Sequence, residues 1–409
     1  MARGEHPSTT GSWPAHTTER LSWRQSTRGG TRADRMLDHV EAGIPPFIAD
    51  LDHSPSPGTT TAIERAAAAV ATAEAEVVGG LSALGQFLIR TESVASSKIE
   101  HEDADALAFA RAIAGSRANS SATLMVAASE ALTRFVEEAG ATGRIDESQI
   151  LGAHAALFAD DPHERRYAGR YRDVQNWIGG SDHSPRNALF VPPAPARVPD
   201  LMRDLVDYAN RDDLPALVQA AAAHAQFESI HPFTDGNGRI GRALVNAILR
   251  RRGLTARSVV PVAGAMLADR DGYFALLDGY RTGDLDAFVH RMAVSVEVAA
   301  REARTSAARI DVLPAEWSAM VGARSGSAAQ KLIGVLAEHP VFSGDLAARL
   351  IGSPAPNTNR AIETLETAGI VREITGRKRD RVWVSVDLLG ELDDLQERIA
   401  AALPPLAAS

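Results

Sequence analysis

The stretch Glu228-Ser-Ile-His-Pro-Phe-Thr-Asp-Gly-Asn-Gly-Arg-Ile-Gly-Arg-Ala-Leu-Val-Asn-Ala-Ile-Leu-Arg-Arg251 decides how the rest of the chain is read. An apolar helix ends near Ile230. A loop from His231 to Asn237 follows, punctuated by Pro232 and Gly236. A second apolar helix opens at about Gly238 and carries Arg239, Gly241 and Arg242. Glycines ahead of a helix start let a ligand come close to the backbone, and the free N–H groups and positive dipole end of the helix attract phosphate. Arg239 and Arg242 are three residues apart, so they share one helix face with guanidinium groups suited to phosphate oxygens. Asp235 stands at the mouth of this cradle, where a lone carboxylate suits magnesium. His231 is the one nearby group able to take a proton near neutral pH. A base, a metal carboxylate, an anion cradle and two clamps suit attack on a phosphate. The pattern is neither a Walker A loop nor a Rossmann fingerprint.

Working outward, helices dominate both flanks. Downstream, Tyr273–Gly283 and Leu285–Ser306 read as helices; upstream, residues 201–210 and 217–230 do. Residues 161–200 change character, with Tyr167, Tyr171, Trp177 and many Gly and Pro, and read as loop and short hairpin. Residues 120–160 predict two helices, the second capped by Asp146. An Ala-rich helical pattern fills Thr60 to about Ala114, with a break at Gly79-Gly80, and residues 44–58 read as extended. Residues 1–30, poor in apolar side chains, read as a disordered tail. Residues 326–409 have a different grammar: three short helices, two short strands around the polar turn at 376–381, and a last helix. That order predicts a winged helix-turn-helix. No internal repeat of fixed period is present.

His231-Pro-Phe-Thr-Asp-Gly-Asn-Gly-Arg-Ile-Gly-Arg242 resembles the Fic-domain signature HxFx(D/E)GNGRxxR at every specified position. The resemblance implies a mainly α fold with a short β-hairpin flap, and transfer of a nucleotide part, usually AMP from ATP with Mg2+, to a Ser, Thr or Tyr hydroxyl of a protein. Carried over by position, His231 would deprotonate the hydroxyl, Phe233 would anchor the loop and Asp235 would hold magnesium. Gly236, Asn237, Gly238 and Gly241 would cradle the phosphates, with Arg239 on the β- and Arg242 on the γ-phosphate. The likeness runs on. Residues 169–180, GRYRDVQNWIGG, look like the lead into the family's substrate flap, which would lie at Leu189, Phe190 and Val191. Residues 268–288 look like the segment that closes the adenine pocket, with Tyr273 and Phe274 in the aromatic positions. The likeness covers roughly residues 85–300.

Upstream, SVASSKIEHE (93–102) is similar to the family's inhibitory motif (S/T)xxxE(G/N), with Ser96 and Glu100 in place and His101 where Gly or Asn is usual. Glu100 would pair with Arg242 and misplace the phosphates.

The expected organisation is a disordered tail (1–30), an N-terminal helical segment with the inhibitory motif (31–115), a Fic core (116–300), a linker helix (301–325) and a winged helix (326–409). The alternatives are AMP removal, another nucleotide donor, or a nucleotide-sensing transcriptional regulator. DNA contact would use Asn357, Asn359, Arg360 and the basic turn; a protein-binding or dimerisation module is the competing reading. The expected partners are a protein hydroxyl, on another chain or its own, and a second copy in a homodimer. The chain of 409 residues has no cysteine, which excludes disulfides and thiolate chemistry, and its net charge of −9 gives no whole-chain footprint for nucleic acid. It has no apolar run of the roughly 18 residues a membrane span needs, and no secretory h-region at its start, so it reads as cytoplasmic.

Overall fold

The computed structural model describes residues 13–25, 29–78, 82–101, 106–113, 120–159, 161 and 164–406. The chain opens with an antiparallel hairpin of β1 (Thr17–Ser22) and β2 (His39–Ile44), with the short α1 (Arg32–Arg35) between them. Helices α2 (Pro57–Val78), α3 (Ser82–Ile99), α4 (Ala106–Ile113), α5 (Ser120–Thr142) and α6 (Glu147–Leu157) follow. After the segment expected to be the flap, which closes an Ile178↔Phe190 bridge, come α7 (Val198–Ala209), α8 (Ala216–Ile230), α9 (Asn237–Arg251), α10 (Val262–Ala268), α11 (Arg270–Arg281) and α12 (Leu285–Val321). The last unit is α13 (Ala328–Leu336), β3 (Val341–Ser343), α14 (Gly344–Ile351), α15 (Ala355–Thr367), β4 (Val371–Glu373), β5 (Val382–Ser385) and α16 (Val386–Ala402), with sheet order β3-β5-β4. The fold is mainly helical. Among the described residues no helix is long and apolar enough to cross a membrane.

The site hangs on the most buried helix. Every residue of α8 from Leu217 to Ile230 is buried, and the run Ala220–Ala223 explains how: small side chains let neighbours close in on all faces. Helix α9 is buried from Asn237 to Leu249 and packs on both α8 and α5. Helix α2 lies along α12, where buried Ala62, Ala66 and Val70 share a core with Val289, Ala293 and Val296. Asp146 caps α6 as expected, and its backbone N–H donates to the Gln149 side chain at 2.9 Å.

Four expectations need correction. The tail is not disordered throughout: residues 17–22 form β1, and Trp13 is buried edge-on to Tyr208 at 6.5 Å. Backbone pairing and one large aromatic hold this stretch in place, and low apolar content does not register either. Residues 1–12 and 26–28 lie outside the described residues, as does the expected break at Gly79-Gly80. The segment expected to be helical from residue 31 begins with the single turn of α1 but then forms β2, half of a hairpin, before the long helices start. There is no separate linker helix over 301–325: α12 runs unbroken past residue 301 and through Pro314 to a left-handed cap at Gly322. Finally, the C-terminal unit has three strands. β3 escaped detection because it is three residues long, and it pairs Phe342 with Trp383.

The C-terminal unit is built onto the helical core. Gln396 Nε2 donates to Gly264 O at 2.9 Å, Ser306 Oγ donates to Glu391 Oε1 at 2.7 Å, and Arg111 Nε of α4 donates to Ile374 O at 2.7 Å. Ala110 is buried against Ile374, Val382 and Val384. The turn at 376–380 is exposed, while Arg381 folds back over Trp383, 4.6 Å from its ring centre.

Candidate active site

Helix α8 stops where His231 takes a left-handed conformation (φ 51), and α9 starts after Gly236 does the same (φ 78). Between them the loop is tied from inside. Phe233 is fully buried, its ring stacked on His154 at 3.8 Å. The Asn237 side chain accepts from Phe233 N–H at 2.8 Å and donates to Phe233 O at 2.9 Å. His154 sits between Gly169 N–H, 2.9 Å from Nδ1, and Asp235 O, 3.1 Å from Nε2. Arg172, 4% exposed, donates to His231 O at 2.9 Å and to Pro193 O at 2.6 Å, joining the loop to the end of the flap. A Cβ on Gly236 would stand 2.7 Å from Phe158 Cε2, so glycine is required there for space as well as for φ.

On this scaffold His231 is half-buried. Burial, then the positive charge of Arg172, lowers its pKa to about 4; Glu100 pulls the other way, and Arg281 adds a smaller lowering. The imidazole is therefore neutral and able to accept a proton at neutral pH. Asp235 is half-exposed. Its Oδ1 accepts from Gly236 N–H at 2.5 Å, and its Oδ2 from Arg239 Nη2 at 3.2 Å. Arg239 is 5% exposed with its guanidinium 5.1 Å over the Phe158 ring, and its Nε and Nη1 have no partner. Two buried donors with nothing to donate to, at the start of a helix, suit an anion.

Arg242 is 1% exposed. It donates from Nε to Ser96 Oγ, and from Nη2 to Ser96 O and Glu100 Oε1, each at 2.8 Å. Ser96 lies in the last turn of α3 and Glu100 directly after its last residue, four positions on, so both reach the same arginine. A side chain on Gly238 would collide with Glu100 Oε1, which places this carboxylate over the first turn of α9. Burial pushes the Glu100 carboxyl up, but Arg242, then Arg239 and His231, outweigh it and hold the group below the usual range. His101 has φ 63, the left-handed region that Gly and Asn enter most readily, and its Nε2 accepts from Arg270 Nη2 at 2.6 Å.

Tyr273 is buried, with its hydroxyl 2.9 Å from His224 Nε2, and lies in the electrostatic reach of Arg242. Phe274 is 37% exposed beneath Arg270, 5.4 Å from the guanidinium to the ring centre. The flap turns tightly through Gly179 and Gly180; Ile178 N–H donates to Phe190 O at 2.9 Å and Leu189 N–H to Ile178 O at 2.8 Å. Leu189 is 82% exposed, Val191 is buried, and Phe190 packs under Arg281, 3.7 Å from its ring centre. The loop, α9 and Glu100 thus converge on one point, with Tyr273 just behind it; Phe274 and Leu189 lie at the rim.

Sequence reasoning missed several groups. Arg172 and His154 bind backbone atoms, and a buried arginine or histidine looks like any other until the loop it holds is known. Glu228, three residues before His231, is 6% exposed with Oε1 unpartnered, and burial chiefly pushes its pKa up to about 7. Its spacing from His231, close to one helical turn, was the available signal.

Residues 144–249 match the Fic/DOC family. They contain the whole of the loop, both arginines and Asp235. The chain is a Fic-domain protein. It is 34% identical over 153 residues to protein adenylyltransferase fic-1 of Caenorhabditis elegans, covering 36% of this chain and 27% of that one. It is 37% identical over 133 residues to protein adenylyltransferase Fic of Nematostella vectensis, covering 32% and 28%. The chain thus spans little more than a quarter of the length of these curated relatives. The crystal structure of a Fic family protein from Desulfovibrio desulfuricans shares its fold, with a TM-score of 0.54 and 21% identity over 82% of this chain and 97% of that one.

Proposed function

We propose that this Fic-domain protein transfers AMP from ATP to a Ser, Thr or Tyr hydroxyl of a protein, and that Glu100 restrains it. The observation that carries the reading is the meeting of a neutral His231, the half-free guanidinium of Arg239 and the start of α9 at one point. The relatives that share this region bear the name protein adenylyltransferase.

The donor's phosphates lie against the first turn of α9, with Arg239 and Arg242 neutralising their charge. His231 takes the proton of the acceptor hydroxyl as its oxygen bonds to the α-phosphorus; the bond from that phosphorus to the bridging oxygen breaks, and pyrophosphate leaves. Catalysis here is positioning and charge stabilisation. Among the described residues no cluster of three or more His, Asp or Glu is placed to cage a metal. A magnesium ion that keeps waters and substrate oxygens needs only a carboxylate such as Asp235, which fits by its exposure at the mouth. Bound there, it would neutralise phosphate charge.

The restraint is a competition between anions. The Glu100 carboxylate occupies the space over Gly238 and takes the Arg242 guanidinium, the two features that a terminal phosphate needs. Glu100→Gly is expected to raise self-labelling with labelled ATP about tenfold or more, the factor that 1.4 kcal/mol of barrier makes. Adding His231→Ala to that chain should abolish the label while circular dichroism stays unchanged. Label in the doubly altered chain would assign the base elsewhere, and no gain from Glu100→Gly would remove the restraint.

A further inference from the structure

The flap strand has two backbone edges. One faces Ile178, through backbone hydrogen bonds at Leu189 and Phe190. Carbonyls alternate along an extended chain, so that of Val191 points the other way. There it accepts a hydrogen bond of 2.8 Å from Gly43 N–H of β2. The other side of β2 is paired with β1, from Thr17↔Ile44 to Ser22↔His39. The flap edge turned away from Ile178 is therefore already taken, by a strand of the same chain.

The seat is shaped to its occupant. A Cβ on Gly43 would come within 2.6 Å of Phe190 Cε2, so the position opposite Phe190 accepts only the smallest residue. Around this contact the N-terminal segment grips the flap elsewhere. Trp23 meets Trp177 edge-on at 5.4 Å, and Asp34 Oδ1 accepts from Ser184 Oγ at 2.7 Å. His16, which donates its backbone N–H to Arg281 O at 2.9 Å, lies 6.4 Å from the Phe190 ring. Glu19 pairs with Arg197 beyond the flap at 2.8 Å.

We propose that β2 is a resident occupant of the flap edge, holding the place of an extended segment of an acceptor protein with a small residue opposite Phe190, and that such a segment docks only when the hairpin lifts. This rests on the reading of residues 189–191 as the acceptor flap. Recognition would be by backbone pairing, so the acceptor needs an extended stretch more than a particular side-chain motif. The hairpin would be a second restraint, on the acceptor side, separate from Glu100 on the nucleotide side.

The probe is a fluorescent peptide copying residues 37–46, titrated by anisotropy against the full chain and two variants. Gly43→Pro removes the N–H that Val191 accepts and puts a ring against Phe190. Glu19→Arg sets like charges facing Arg197 and loosens the hairpin at a distance. The wild type should bind the peptide weakly, and both variants roughly tenfold more tightly, because the vacated edge takes the peptide strand. Hydrogen exchange at residues 39–44 shows whether the hairpin has lifted. A lifted hairpin without tighter peptide binding, or equal binding by all three chains, overturns the proposal; so does a hairpin that stays down in both variants yet admits the peptide. In the Glu100→Gly background the same peptide should lower transfer to proteins of a cell extract by the Gly43→Pro chain. If Glu100→Gly alone transfers nothing, the transferase reading fails, and the binding result still decides whether β2 fills the edge.

Discussion

At the scale of single residues, the proposed chemistry depends on which groups carry charge. His231 titrates at about 4 because burial and two arginines oppose its protonation. The proposed base must be neutral to work, so the acid limb of kcat/KM for the Glu100→Gly chain is expected well below pH 6, displaced from the ordinary histidine value near 6.5. Loss of Glu100 removes a charge that favours the imidazolium and moves the limb no higher. A limb near 7 would point to Glu228 instead, and Glu228→Gln would then remove it. The residues that touch backbone are a separate matter. Phe233→Ala empties the space against His154 and is expected to cost about 3–5 kcal/mol in urea denaturation, the usual range for a buried Phe.

At the scale of elements, the α8–loop–α9 turn was legible because the residues its chemistry requires are also those its geometry requires. Glycine at 236 answers both the left-handed backbone and the Phe158 ring, so Gly236→Ala should destabilise the fold by about 1 kcal/mol or more while leaving α8 formed. Thermal melting checks the first part and helical circular dichroism the second. The contact of Arg242 with the segment proposed to restrain it was legible for a similar reason: Ser96 and Glu100 are about one turn apart, and both reach the Arg242 guanidinium. The β1–β2 hairpin was not. β1 alternates only between exposed and half-buried positions, and β2 buries just Ala42 fully, so periodicity gives the hairpin away only weakly. What holds it are partners far away in sequence, Val191, Ser184 and Arg197.

At the scale of the molecule, the change of sequence pattern along the chain led to an expectation of successive domains, and the packing joins them. The buried core that includes Phe233 and Ile240 continues without interruption through α12 and α16 to Leu332 and Leu365. Calorimetry should therefore show one cooperative transition; two would mean that the C-terminal unit melts alone. Four histidines, His16, His154, His224 and His231, are held neutral chiefly by burial, with pKa values of about 3, 4, 3 and 4. Each takes up its proton more readily unfolded, near 6.5, than folded. Their contribution to stability is complete above about pH 6.5 and is lost as the pH falls towards 4. Burial acts in the opposite sense on Glu92 and Glu228, raised to about 8 and about 7, whose contribution declines as pH rises from the ordinary carboxylate range to those values. Stability is expected to peak near pH 6.5, falling more steeply on the acid side because four groups oppose two; urea midpoints between pH 4.5 and 8 would check this.

The family match at 144–249 holds His231, Asp235, Arg239 and Arg242, but not Ser96 or Glu100. The reactive apparatus and the carboxylate laid across it are thus written in separate stretches of the gene, and only folding brings them together at Arg242. A recombination that carried off the matched stretch alone would take the loop and both arginines and leave behind the carboxylate proposed to restrain them.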